Sequence, residues 1–143
     1  MIRFFKQGDE RDVAELEKEC FSSPWSQNAI LDSAKNDTDF FVCCENEKIV
    51  GYAGIQIVLD EGYVTNVAVT GSHRGNGIGG RLVDALIRHG QEKNLSFISL
   101  EVRSSNFSAI SLYSKRGFIE VGKRKNFYEK PTEDAIIMTK ERK

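Results

Sequence analysis

A chain of 143 residues, 40% hydrophobic and 29% charged, is sized for one globular domain around one core. Its formal net charge of −1 at pH 7 argues against a broad basic surface, so no direct nucleic-acid partner is expected. No apolar run approaches the roughly 18 residues of a membrane span, and MIRFFKQGDE lacks an apolar signal core. A cytoplasmic protein with no membrane partner is the expectation. The three cysteines, Cys20, Cys43 and Cys44, form no ligand pattern. Cys43 and Cys44 are adjacent on a predicted strand and point to opposite faces, which suits neither a disulfide nor a shared metal. With only His73 and His89 to add, no metal site is expected and the cysteines read as reduced and structural.

The predicted elements run in one unbroken series, with no linker, repeat or low-complexity segment, so residues 1–143 read as a single domain. A first strand covers Ile2 to Lys6. Asp9 is placed to cap a helix carrying Val13, Leu16 and Cys20 on one face. Pro24-Trp25-Ser26 breaks the chain, and Ser26 can cap a second helix with Ile30, Leu31 and Ala34. The segments FFVCCE (Phe40 to Glu45) and IVGYAGIQIVL (Ile49 to Leu59) flank a hairpin turn at Asn46-Glu47-Lys48. Tyr63 to Val69 is the next strand. Leu82, Val83, Leu86 and Ile87 then mark one buried helix face. Ser96 to Val102 is a strand, Asn106 caps a helix that Gly117 can end, and Phe118 to Arg124 and Asp134 to Lys140 close the series. The order β-α-α-β-β-β-α-β-α-β-β predicts an α/β fold with a mixed sheet flanked by helices, antiparallel early, with one β-α-β crossover.

That crossover contains the most informative residues. YVTNVAV leads into HRGNGIGGRL, residues 73–82, and then into a helix. Strand, glycine-rich turn and helix N-terminus aim backbone N–H groups at a phosphate, and the helix end adds about half a positive charge. A phosphorylated ligand is therefore expected over residues 74–80. Gly75, Gly77 and Gly80 fit the dinucleotide pattern G-x-G-x-x-G, with Glu101 about 20 residues beyond. Against it, Thr70 to Arg74 separate the strand from the first glycine, and too little chain follows for a doubly wound sheet. Arg74, Gly77 and Gly79 instead fit Arg-x-x-Gly-x-Gly. A turn that holds no ligand is the third possibility.

The second informative stretch is LEVRSSNFSAISLYSKRGF, Leu100 to Phe118. It sets Glu101 near a strand end and places Asn106, Ala109, Ile110 and Tyr113 on one helix face. By spacing alone, Tyr113 is equally a half-buried helix residue with a wet hydroxyl, and Glu101 a solvated strand-end charge.

These two motifs resemble the GCN5-related N-acetyltransferases, whose pyrophosphate loop has the form Arg-x-x-Gly-x-Gly after a strand of the NVAV type (here Asn66 to Val69). Phe21 with Pro24-Trp25-Ser26, Asp60-Glu61, RKNFY (Arg124 to Tyr128) and EDAIIM (Glu133 to Met138) extend the likeness over nearly the whole chain. They resemble the bacterial ribosomal-protein-alanine branch of that superfamily. The resemblance implies a GCN5-related N-acetyltransferase fold and acetyl-CoA as co-substrate. Acetyl-CoA contacts would fall on Val67, Ala68 and Val69, on Arg74, Gly75, Asn76, Gly77, Ile78, Gly79 and Gly80, and on Asn106. It also implies Glu101 as general base, Tyr113 as general acid, and the N-terminal α-amine of a ribosomal protein as acceptor, alanine first. Trp25 and Tyr128 would flank that peptide, with Glu133 free to meet basic residues behind its first position. Ser23 departs from the apolar or aromatic residue common before this proline. Lys123, Arg124 and Lys125 read as a solvated strand end, Glu61 as a minority candidate for the base, and a monomer is favoured. The alternatives are the same chemistry on other protein N-termini, lysine or small amines, and a non-catalytic acyl-CoA-binding module.

Overall fold

A computed structural model describes residues 1–142. The elements in chain order are β1 (Ile2–Phe4), α1 (Glu10–Cys20), α2 (Gln27–Asn36), β2 (Thr38–Glu45), β3 (Lys48–Val58) and β4 (Glu61–Val69). A short 3-10 turn (Gly71–His73) precedes α3 (Ile78–Glu92), and β5 (Phe97–Arg103), α4 (Phe107–Ser114), β6 (Ile119–Tyr128) and β7 (Glu133–Glu141) follow. The seven strands form one sheet in the order β1-β2-β3-β4-β5-β7-β6. Only β4 and β5 run parallel, joined by the single-helix crossover through α3; every other neighbouring pair is antiparallel, including β1 and β2, which α1 and α2 together connect.

Alternation along the strands divides the core into two layers. Val50, Ala53 and Ile55 of β3 face α3, where Leu82, Val83 and Leu86 are almost fully buried. Each such leucine stabilises the fold by about 1.5–3 kcal/mol through burial. Ile49 and Tyr52 face the other way, toward Val13 and Leu16 of α1 and Ile30 of α2. Cys43 lies in the first layer and Cys44 packs against the second, on opposite faces as their adjacency requires.

Local chemistry explains most element ends. The β2–β3 hairpin turns on Asn46 and Glu47, both left-handed (φ 52° and 64°), the conformation of a tight turn that matches strand twist. The turn is thus two residues, with Lys48 already in β3. Ser26 Oγ accepts from Ala29 N at 3.1 Å and caps α2, and Asn106 Oδ1 accepts from Ala109 N at 3.2 Å and caps α4. Asp9 stands at the start of α1 but its carboxylate makes no cap. Arg3 holds it at 2.8 and 3.1 Å and Lys6 N donates to it at 2.9 Å, because a guanidinium fork is a stronger partner than a helix N–H. β6 extends past Arg124 to Tyr128, with a register shift between Arg124 and Tyr128 that the sequence pattern does not announce.

One break in the sheet makes the site. β4 pairs with β5 only from Glu61↔Phe97 to Tyr63↔Ser99, whereas β5 continues on β7 as far as Arg103↔Ala135. Beyond Tyr63 the two parallel strands part. A register shift between β3 and β4 (Ala53↔Val67, Ile55↔Val64) bends β4 at Thr65 and Asn66. Gly54 lies opposite, where a Cβ would come within 2.5 Å of Thr65 Oγ1 and the Phe40 ring, so only glycine permits the bend.

Candidate active site

Two clefts meet where β4 and β5 separate. One, about 620 Å³, is lined by Val67, Ala68 and Val69, by His73 to Gly75 and Gly77 to Gly80 of the loop but not by Asn76, and by Asn106 and Tyr113. Val67 to Val69 pair with β3 on one side and leave their other edge unpaired by β5. An extended ligand can add to that edge as a short strand. At the cleft's far end α3 begins at Gly77 with no side-chain cap, and its first intrahelical bond into the following turn is Arg81 N to Gly77 O at 3.1 Å. The amides of Ile78, Gly79 and Gly80 are therefore free for an anion. Gly75 and Gly77 are left-handed (φ 84° and 79°), and no atom stands within 4 Å of where a Cβ would project. The cradle fits a diphosphate. Arg74 turns from the loop toward β4, donating to Val69 O at 3.0 Å and to Cys20 Sγ at 3.3 Å.

The second cleft, about 720 Å³, is lined by Trp25, Asn66, Glu101, Tyr113, Tyr128 and the turn Glu129 to Pro131, among others. Glu101, on β5 opposite Ile137 of β7, has a side chain about one-third exposed. Tyr113, on α4, and Asn106 and Ala109 line both clefts. Tyr113 is 8% exposed, and burial, with a smaller contribution from Tyr128, pushes its phenol up to about 12. Burial and the nearby Glu101 charge likewise push Tyr128 up to about 12. Both phenols are thus protonated at neutral pH. The arrangement sets a carboxylate and a neutral phenol against one opening, with an anion cradle at the end of the adjoining cleft.

Residues 10–118 match the profile of the Acetyltransferase (GNAT) family. The chain belongs to the GNAT acetyltransferases. Named relatives include the [ribosomal protein bS18]-alanine N-acetyltransferases of Haemophilus influenzae, 39% identical over 127 residues (87% of this chain, 86% of the relative), and of Haemophilus ducreyi, 33% identical over 141 residues (96% and 97%). The crystal structure of the ribosomal-protein-S18-alanine N-acetyltransferase from Escherichia coli superimposes with a TM-score of 0.92 at 31% identity, covering 99% of this chain and 92% of that one.

Within this GNAT acetyltransferase, several sequence expectations change. Glu133 is not free to meet a peptide: Ser105 N donates to it at 2.6 Å, Arg103 at 3.2 Å and Ser104 Oγ at 3.1 Å, and these donors, Ser105 foremost, hold its carboxyl below the usual range. Arg103 also donates to the carbonyls of Glu129 (3.0 Å) and Pro131 (2.9 Å) and lies 4.5 Å from the Tyr128 ring centroid, fixing the turn beside the cleft. Arg124 is not merely a solvated strand end, since its Nε pairs with Glu101 Oε2. Glu61 accepts from Tyr63 at 2.6 Å and lines neither cleft, which removes it as a base. Cys43 is fully buried away from both clefts, while Cys20 lines both.

A buried carboxylate was also missed. Glu17 of α1, 1% exposed, accepts from Tyr52 Oη, from Asn66 Nδ2 at 2.8 Å and from Trp25 N at 2.9 Å. It joins α1, the Pro24-Trp25 segment, β3 and the β4 bend, and is among the residues lining the second cleft. Burial raises its carboxyl above the ordinary value despite those donors. Its place among Val13, Ala14 and Leu16 on the buried helix face was the available signal. Among the described residues, no group of three or more His, Cys, Asp or Glu is placed to hold a metal ion, and no helix is long and apolar enough to cross a membrane.

Proposed function

We propose that this chain transfers the acetyl group of acetyl-CoA to the N-terminal α-amine of a ribosomal protein beginning with alanine, the acceptor being the bS18 counterpart that its relatives are named for. The observation that carries the reading is the convergence of Glu101 and Tyr113 on one cleft beside an open strand edge and an uncapped helix N-terminus. The free amides of Ile78 to Gly80, with Gly75, Asn76 and Gly77 in the preceding turn, hold the pyrophosphate. Val67 to Val69 pair with the pantetheine, Asn106 lies beside it, and a β4 N–H polarises the thioester carbonyl. The acceptor enters from the other cleft, between Trp25 and Tyr128.

Transfer proceeds directly, with no covalent enzyme intermediate. Glu101, through a water, takes a proton from the ammonium; the amine nitrogen bonds to the thioester carbon as the carbon–sulfur bond breaks. Tyr113 gives its proton to the departing thiolate, and the second proton that the nitrogen sheds as the amide forms returns to the Tyr113 phenolate through water. An α-amine of pKa about 7.7–8.0 loses its proton far more readily at neutral pH than a lysine near 10.4, which suits a carboxylate base. The neutral phenol argues against a module that only binds acyl-CoA, because binding has no use for a positioned acid. The chain acts in this reading as a one-domain monomer in the cytoplasm.

The test is a panel of acceptors compared by kcat/KM with acetyl-CoA held constant. Peptides beginning with alanine are expected to exceed Nα-blocked peptides carrying an internal lysine, free lysine and polyamines. Faster turnover of free lysine or a polyamine than of every alanine peptide would overturn the acceptor assignment while leaving an acetyltransferase.

A further inference from the structure

The reaction outlined above uses Glu101 but leaves its ion-pair partner unexplained. Glu101 on β5 and Arg124 on β6 are not on neighbouring strands, since β7 runs between them. Glu101 lies opposite Ile137, and Arg124 opposite Ala135, two residues along β7 on the same face. The small side chain of Ala135 leaves room for the guanidinium to cross that strand. The backbone of Arg124 is paired to β7 at the last position before the register shift, and Asn126 N, beyond it, is tied to Asp134 Oδ1 at 2.9 Å. The guanidinium carbon lies 5.6 Å from the Phe127 ring centroid, on the same cleft wall. Arg124 is thus seated within β6 at a backbone-paired position, with one aromatic neighbour and one carboxylate.

We propose that Arg124 is the positioning residue for Glu101: it holds Oε2 of the carboxylate across β7 and keeps that group turned toward the acceptor cleft. The inference rests on Glu101 being the base. Other charged or titratable groups around the carboxylate do not supply the same contact. Arg103, on the same strand, is engaged by Glu133 and by the carbonyls of Glu129 and Pro131. Tyr128 of β6 and Tyr113 of α4 are neutral phenols, and Glu17 of α1 is committed to Tyr52, Asn66 and Trp25. Lys130 lines the cleft from the turn but pairs with no carboxylate among the described residues. Arg124 is therefore the cation in contact with the base.

The test compares kcat and KM of the full chain, R124Q, R124K, E101Q and R124Q/E101Q with an alanine-initiated peptide. In R124Q kcat falls about tenfold or more, as expected when a reacting group loses its orientation, while the KM for acetyl-CoA stays unchanged. R124K restores most of that loss. The double variant is no slower than E101Q, because Arg124 acts only through Glu101. Wild-type kcat in R124Q, or a loss in the double variant that adds the full R124Q loss to that of E101Q, overturns the inference and leaves Glu101 as the base. Wild-type turnover in E101Q removes the base itself, and with it any positioning role.

Discussion

At the scale of residues, the proposed reaction rests on two groups with opposite protonation demands. In that proposal Glu101 accepts a proton, and its carboxylate is held by Arg124. Tyr113 must be neutral to donate one, and burial raises its phenol to about 12. E101Q and Y113F each keep the shape of the side chain and remove one proton carrier. Each is expected to lower kcat by about 100- to 10,000-fold, with the KM for acetyl-CoA changed little. Steady-state kinetics with an alanine peptide check this. Y113F at wild-type kcat would mean that the thiolate leaves without help from the phenol. Because the Tyr113 phenol stays protonated until pH approaches about 12, no alkaline fall in kcat should trace to its ionisation. The placing of both residues was legible in the chain, since a strand-end acid followed by a capped amphipathic helix is a local pattern, whereas their roles come from the resemblance alone. Arg124 was not, because its partner lies across an intervening strand whose pairing no local pattern encodes.

At the scale of elements, α1 shows how a helix face can carry more than packing. Val13 and Leu16 bury the face that periodicity predicts, and Glu17 beside them carries a carboxylate into the same core. Three donors from three other segments converge on it. E17A takes the acceptor from Trp25 N and the Tyr52 hydroxyl, at about 1–3 kcal/mol for each that stays buried and unpaired, while Asn66 Nδ2 keeps its bond to Tyr52 Oη at 3.1 Å; E17Q can still accept from Trp25 N. Urea unfolding should therefore rank E17A well below E17Q. The pH dependence follows from the direction of the shift. The folded-state carboxyl is raised above its ordinary 4.5, so the folded chain binds a proton that the unfolded chain has released. That contribution to stability is fully present below pH 4.5 and is lost as pH rises through the folded value. E17Q should flatten this decline, and a slope identical to wild type would show that Glu17 titrates alike in both states. The strands and helices themselves were readable from alternation, helical spacing, Ser26 and Asn106. The Asp9 cap was misread because Arg3, on a neighbouring element, outcompetes the helix end for its carboxylate.

At the scale of the whole molecule, the parting of β4 from β5 organises everything else. A β-α-β crossover makes these two strands parallel neighbours, and the bend at Thr65 and Asn66 ends their pairing after Tyr63. One cleft then receives the free edge of β4 and the start of α3, and the other receives Glu101, Trp25 and Tyr128. Tyr113 and Asn106 stand at the junction. The mixed sheet and the crossover could be read from the order of elements. The separation could not, since it comes from a register shift opposite Gly54 and not from any residue pattern in β4 alone. The wall of the acceptor cleft was read only in part: Trp25 and Tyr128 stand on it, while Glu133 is spent on Arg103, Ser104 and Ser105. The most direct measurement of the central claim is fragmentation mass spectrometry on an alanine-initiated ribosomal-protein substrate that also contains lysines, after incubation with acetyl-CoA and this chain. One added acetyl group on the α-amine of the first alanine, absent with E101Q, is the predicted result. Acetyl groups on lysine side chains with the N-terminus left free would contradict it.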